Sequence, residues 1–171
     1  MKRSASLIVT AFVLAAPFAA HAQTAAPDCA AVTVPALPEA WAAFAQASPL
    51  TAAAKAADQP EIKINQAYAL TLVPATQAEY TVAPEMVAPG SFGGLLMLTV
   101  DKAGVYSVGI SDKIWVDVIR DGQALRSVAH QEGAPCGAIH KTVDFQLDPG
   151  HYTIQLSNAP AATATVEIIA K

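Results

Sequence analysis

Lys141-Thr142-Val143-Asp144-Phe145-Gln146-Leu147-Asp148-Pro149-Gly150-His151-Tyr152-Thr153-Ile154-Gln155-Leu156-Ser157 is the stretch that decides the fold. Val143, Phe145 and Leu147 alternate with Thr142, Asp144 and Gln146, and Tyr152, Ile154 and Leu156 alternate with Thr153 and Gln155. A period of two marks strands with one apolar and one wet face. Asp148-Pro149-Gly150 between the two runs supplies a turn.

The same chemistry recurs on either side. Short runs rich in β-branched and aromatic residues fall at 68–73, 95–100, 105–110, 114–120, 123–129, 141–147, 152–157 and 163–169. They are separated by Lys102-Ala103-Gly104, Ser111-Asp112-Lys113, Asp121-Gly122 and Asp148-Pro149-Gly150. Asp-Gly between two strands is a strong hairpin signal. About eight strands at this spacing predict an all-β domain, an antiparallel β-sandwich or jelly roll, over residues 61–171. One segment also echoes another: Leu98-Thr99-Val100-Asp101 with Gly104, Tyr106 and Ser111 is matched by Phe145-Gln146-Leu147-Asp148 with Gly150, Tyr152 and Ser157. In both, a strand enters an acidic turn with glycine, and the next strand opens on a tyrosine able to bury its ring while its hydroxyl stays bonded. Two similar hairpins of this kind suit a Greek-key sandwich. They resemble the strand-Gly-x-Tyr-strand signature of accessory β-sandwiches attached to secreted peptidases and glycosidases.

Upstream, residues 23–60 are rich in Ala and Pro and read as an arm packed on the domain. Pro38-Glu39 followed by Ala40, Trp41, Phe44 and Ala45, closed by Ser48-Pro49, predicts one short helix with an apolar stripe. Residues 1–22 read as a secretory signal peptide: Lys2 and Arg3, an apolar run over 7–18, and Ala20-His21-Ala22 as a cleavage site before Gln23. The run is short of the roughly 20 residues a membrane span needs. A periplasmic or secreted protein without membrane insertion is expected. Cleavage would leave 149 of 171 residues, the size of one domain. It would remove two of ten basic residues and none of fourteen acidic ones, taking the formal charge from −4 to −6. No Lys/Arg cluster offers itself to nucleic acid or an anionic surface.

Cys29 and Cys136 remain after cleavage. Disulfides persist outside the cytoplasm, and a bridge here would tie the arm to a distant loop. The alternative is two free thiols, one of them a metal ligand, for which no CxxC-type spacing is present.

Candidate chemistry gathers in the polar stretch 130–141, which holds His130, Glu132, Cys136 and His140 among Gly and Pro. His130 and Glu132, two apart, point the same way from an extended segment, and His140 on the returning strand can lie opposite. Two histidines and a carboxylate are the ligand set of non-haem Fe(II) oxygenases; a surface loop also carries such residues with no metal at all. Trp115 with Asp117 on one strand offers a stacking platform for a sugar or an aromatic ring, or else packs within the core. His151 follows a turn, where a solvated histidine needs no partner. Gly-x-Ser-x-Gly, phosphate loops and dinucleotide fingerprints are absent, and Gly90-Ser91-Phe92-Gly93-Gly94 precedes a strand where an anion site would need a helix.

Trp115-Val116-Asp117-Val118, the 130–136 loop, Lys141-x-Val143-x-Phe145 and Pro149-Gly150-x-Tyr152 together resemble a family of small exported bacterial proteins associated with the name homogentisate 1,2-dioxygenase. That resemblance implies an Fe(II) enzyme opening an aromatic ring with O₂, for which His130, Glu132 and His140 are the possible ligands. The His-x-His-then-Glu pattern usual in cupin iron sites is absent. With no complete catalytic set, the sequence favours a non-catalytic binding or envelope protein with no cofactor. Its partner is expected to be a glycan, a small ligand or another envelope protein.

Overall fold

The computed structural model describes residues 29–171. The expected signal peptide over 1–22 and the first residues of the arm lie outside that range. Among the described residues twelve strands build two facing sheets: β1 (Ser48–Thr51), β2 (Glu61–Ile62), β3 (Ala67–Thr71), β4 (Val73–Pro74), β5 (Phe92–Val100), β6 (Gly104–Ile110), β7 (Trp115–Arg120), β8 (Gln123–Ala124), β9 (Ala129–Glu132), β10 (Lys141–Leu147), β11 (Gly150–Ala159) and β12 (Thr163–Ala170). The first sheet runs β1-β3-β12-β6-β10-β9 and the second β2-β5-β11-β7-β8, with β4 beside β5. The expected β-sandwich is therefore present, with more strands than the eight runs suggested, the additional ones being only two to four residues long.

The alternating residues that marked the strands face one another across the sandwich. Leu96, Leu98, Val108, Ile110, Val118, Phe145, Ile154, Leu156, Val166 and Ile168 are all buried in the central core. Burying each such side chain is worth about 1.5–3 kcal/mol relative to exposing it.

The two echoing units are corners between sheets, where hairpins were expected. β5 belongs to the second sheet and β6 to the first, β10 to the first and β11 to the second. β11 pairs with β5 while β10 pairs with β6, so the units interlock. Each corner is fastened by its tyrosine: Tyr106 donates its hydroxyl to the Lys102 carbonyl at 2.7 Å, and Tyr152 to the Asp148 carbonyl at 2.7 Å. Both rings are buried. The Asp121-Gly122 hairpin forms as expected between β7 and β8, with φ of 51° and 75° at its central residues, the left-handed pair that a tight hairpin requires.

The arm is woven in more deeply than a packed appendage. β1 pairs in parallel with β3 at one edge of the first sheet. The short helix spans Glu39–Gln46 and is a 3₁₀ segment kinked at Trp41. It lies on the outer face of the first sheet, where Trp41, Phe44, Ile139 and Ile169 form a second apolar cluster with Leu37 beside it. The Cys29–Cys136 disulfide is formed, closing a loop over a separation of 107 residues. No described helix is long and apolar enough to cross a membrane.

Candidate binding cleft

The run expected as one strand over 123–129 divides. After Ala124 the chain leaves the β7 edge, crosses the open side of the sandwich through Leu125 and Ser127, and joins the other sheet as β9. Leu125 still donates its N–H to the Val118 carbonyl at 2.8 Å, whereas Val128 donates to Asp144 on β10 at 2.8 Å. β8 pairs only with Ile119 and Arg120, so the first half of β7 has no neighbour on that side. The crossing leaves a cleft of about 360 Å³ between β7 and the β9–β10 pair.

Register decides what lines it. In β10, Lys141 has the same parity as the buried Val143 and Phe145, so it points into the gap between the sheets. Across the ladder, His130 lies opposite Val143 and Glu132 opposite Lys141. From β7, Val116 lies between Trp115 and Asp117, and all three reach the cleft. Apolar Val143, Phe145, Val116 and Leu125 therefore form its depth, with Lys141, His130, Glu132 and Asp117 around the rim.

Trp115 is 38% exposed, so the core alternative for it is not realised. Its indole Nε1 donates to Asp117 Oδ1 at 3.0 Å, and Gln155 Nε2 donates to Asp117 Oδ2 at 3.2 Å. Both oxygens of Asp117 are engaged, which makes it the brace that fixes the indole. The Lys141 ammonium sits 5.8 Å from the centroid of the Trp115 ring, close enough for a cation–π attraction. Burial lowers the Lys141 pKa from its ordinary value; the Glu132 carboxylate opposes this and Lys113 adds to it.

Of the three candidate metal ligands, Glu132 and His140 come together, with Oε2 and Nε2 3.8 Å apart. His130 lies with Glu132 on the cleft wall. No group of three or more His, Cys, Asp or Glu side chains among the described residues is placed to hold a metal ion. His130 and Glu132 stand on an edge strand in place of the expected loop, because 129–132 pairs with β10. His151 lies elsewhere, 3.1 Å from Thr99 Oγ1 through Nδ1.

A second cleft of about 290 Å³ lies between the arm and the 133–139 loop, lined by Leu37, Pro38, Trp41, Gly137 and Ile139, with Glu132 on the ridge between the two. Lys141 and Val116 were not singled out as site residues. The signal for Lys141 was available: it is a cation in phase with the apolar face of its strand.

No family model matches the chain, and no curated protein matches it. Among solved structures it is similar to the pre-peptidase C-terminal domain of collagenase from Bacillus anthracis, at 10% identity and a TM-score of 0.41, over 65% of this chain and 94% of that one.

Proposed function

We propose that this is an exported, non-catalytic β-sandwich binding protein whose ligand site is the cleft between β7 and β9–β10. The observation that carries the reading is the exposed indole of Trp115, hydrogen-bonded to Asp117 at 3.0 Å beside a cleft of about 360 Å³ with an apolar floor. A few convergent polar groups over an apolar floor is the usual make-up of a ligand site. The N-terminal leader pattern and the disulfide support export.

The test is binding to the mature protein, followed by NMR at the Trp115 indole N–H, with panels of oligosaccharides, small aromatic acids and short peptides. A binder is expected that shifts this signal and is lost in Trp115→Ala while the unfolding midpoint stays unchanged. A binder that leaves the Trp115 signal unmoved, with undiminished affinity in Trp115→Ala, would place the site elsewhere.

The iron-dependent dioxygenase is the second reading, favoured by the approach of Glu132 to His140 and by His130 on the same strand. It requires about one equivalent of iron in protein purified from the periplasm, lost in His130→Ala and His140→Ala. Iron-free protein that still binds its ligand would end that reading.

A further inference from the structure

The open edge of β7 says what kind of ligand the cleft receives. Along a strand, successive residues turn their backbone N–H and C=O to opposite sides. Trp115, Asp117 and Ile119 turn theirs toward β11, opposite Ser157, Gln155 and Thr153. Val118 turns the other way, and its carbonyl accepts the Leu125 N–H at 2.8 Å. Val116, two residues earlier, turns the same way as Val118, but the chain has already left for the opposite sheet. Its N–H and C=O therefore face the cleft with no partner among the described residues, on a residue only 8% exposed. An unpaired donor and acceptor on one strand residue match the C=O and N–H of a single residue of an extended main chain.

A second observation is independent of the first. Lys141 is half-buried and forms no ion pair with any described residue; Glu132, opposite it, is drawn instead toward His140. A partly desolvated ammonium without a counter-charge calls for a carboxylate. The cleft of about 360 Å³ is at the small end of ligand sites, a size suited to a chain terminus.

We infer that the cleft binds the C-terminal end of an extended polypeptide: its main chain pairs with Val116 as an added strand, its last side chain enters the Val143–Phe145 floor, and its carboxylate meets Lys141. The inference rests on the cleft being the ligand site.

The probe is acetyl-Thr-Val-Thr-Val with a free carboxyl terminus, titrated into the mature protein and followed at the Val116 amide and Trp115 indole N–H. Three further peptides separate the contributions: the C-terminal amide, the amide carrying an internal Asp, and the free acid N-methylated at its backbone amides. The free acid is expected to move both signals, and both amides to bind roughly tenfold more weakly. The N-methylated peptide is expected not to bind.

Lys141→Gln should erase the preference for acid over amide. Val116→Pro removes the edge donor at a position where edge strands accept proline, and should abolish binding. If that variant misfolds, the N-methyl comparison and Lys141→Gln still decide. Equal binding of the N-methylated peptide, or no shift with the free acid up to about 10 mM, overturns the peptide inference. If an oligosaccharide or aromatic acid then moves the Trp115 indole, the cleft stands as a binding site for another ligand. If none of the panels moves it, both readings fall.

Discussion

Each sheet has an outer face as well as an inner one, and the two outer faces are closed by opposite means. Over the first sheet the cover is apolar: Trp41 and Phe44 pack with Ile139 and Ile169. The indole lies where a side chain at Gly109 would be, since a Cβ there would come within 2.5 Å of the ring. Over the second sheet the cover is polar. Gln155, wholly buried, accepts the N–H groups of Thr81 and Val82 at 2.8 and 3.3 Å and donates to the Val82 carbonyl at 3.0 Å and to Asp117 at 3.2 Å. Asn158 accepts the Ala88 N–H at 2.8 Å and holds the far end of the same segment. An apolar cover gains in proportion to the area it buries. A hydrogen-bonded cover gains little net, yet losing one member strands all its partners.

The largest effect expected from this contrast concerns the covalent tie of the apolar cover. Replacing both cysteines, Cys29→Ser with Cys136→Ser, should lower the unfolding free energy by about 5 kcal/mol, following the loop-closure cost of a span this long. Urea denaturation measures it. A loss under about 1 kcal/mol would mean that packing alone keeps the arm in place. Trp41→Ala comes next, at about 3 kcal/mol for an aromatic removed from a largely buried site. Gly109→Ala should mimic much of that loss, because the new methyl displaces the same ring. The double variant should cost less than the sum of the two.

Why these features were unequally legible follows from their physics. The sandwich could be read because its strands carry local information: Val143, Phe145 and Leu147 announce their period with no knowledge of the partner strand. The tyrosines of the two corners were legible as buried rings with bonded hydroxyls, but not as inter-sheet turns. Whether β6 returns beside β5 or crosses to the other sheet is set by long-range pairing with β10. The short arm strand Ser48–Thr51 was missed because Ser48-Pro49 is a stop signal locally and becomes an edge strand only through β3. At the candidate site, Trp115 and Asp117 were visible as residue types. The free backbone of Val116 was not, since it exists only because the chain abandons the β7 edge after Leu125.

The polar cover yields the next prediction. Gln155→Leu keeps the volume and removes every side-chain hydrogen bond of Gln155, leaving two amide N–H groups, the Val82 carbonyl and one Asp117 oxygen unanswered. A loss of about 2–3 kcal/mol is expected, with faster hydrogen exchange confined to Thr81, Val82 and their neighbours. Exchange rising equally in the helix over the first sheet would mean that the two covers are coupled.

The smallest effect is the most specific, because it lies in a polar group trapped under the apolar cover. Glu167 is 2% exposed on β12, opposite Gly109 and Ala67 and below Phe44. One of its oxygens, Oε2, has no hydrogen-bond partner. Burial raises its pKa above the ordinary 4.5, and a hydrogen bond from the Phe44 backbone only partly offsets this. A raised carboxyl pKa means that the folded state holds its proton more tightly than the unfolded chain. The contribution of Glu167 to stability is therefore complete below its ordinary pKa and is lost as pH rises through the raised value. Glu167→Gln keeps the shape and removes the titration. The variant and the parent should unfold at the same urea concentration near pH 4, and the variant should become the more stable as pH increases toward neutrality. Asp144, held at 2.6 Å by Lys171 on the same outer face, is unchanged in both proteins and cancels from the comparison. A stability difference that does not vary with pH would show that the fold already holds Glu167 as a solvated carboxylate, and that the apolar cover leaks water.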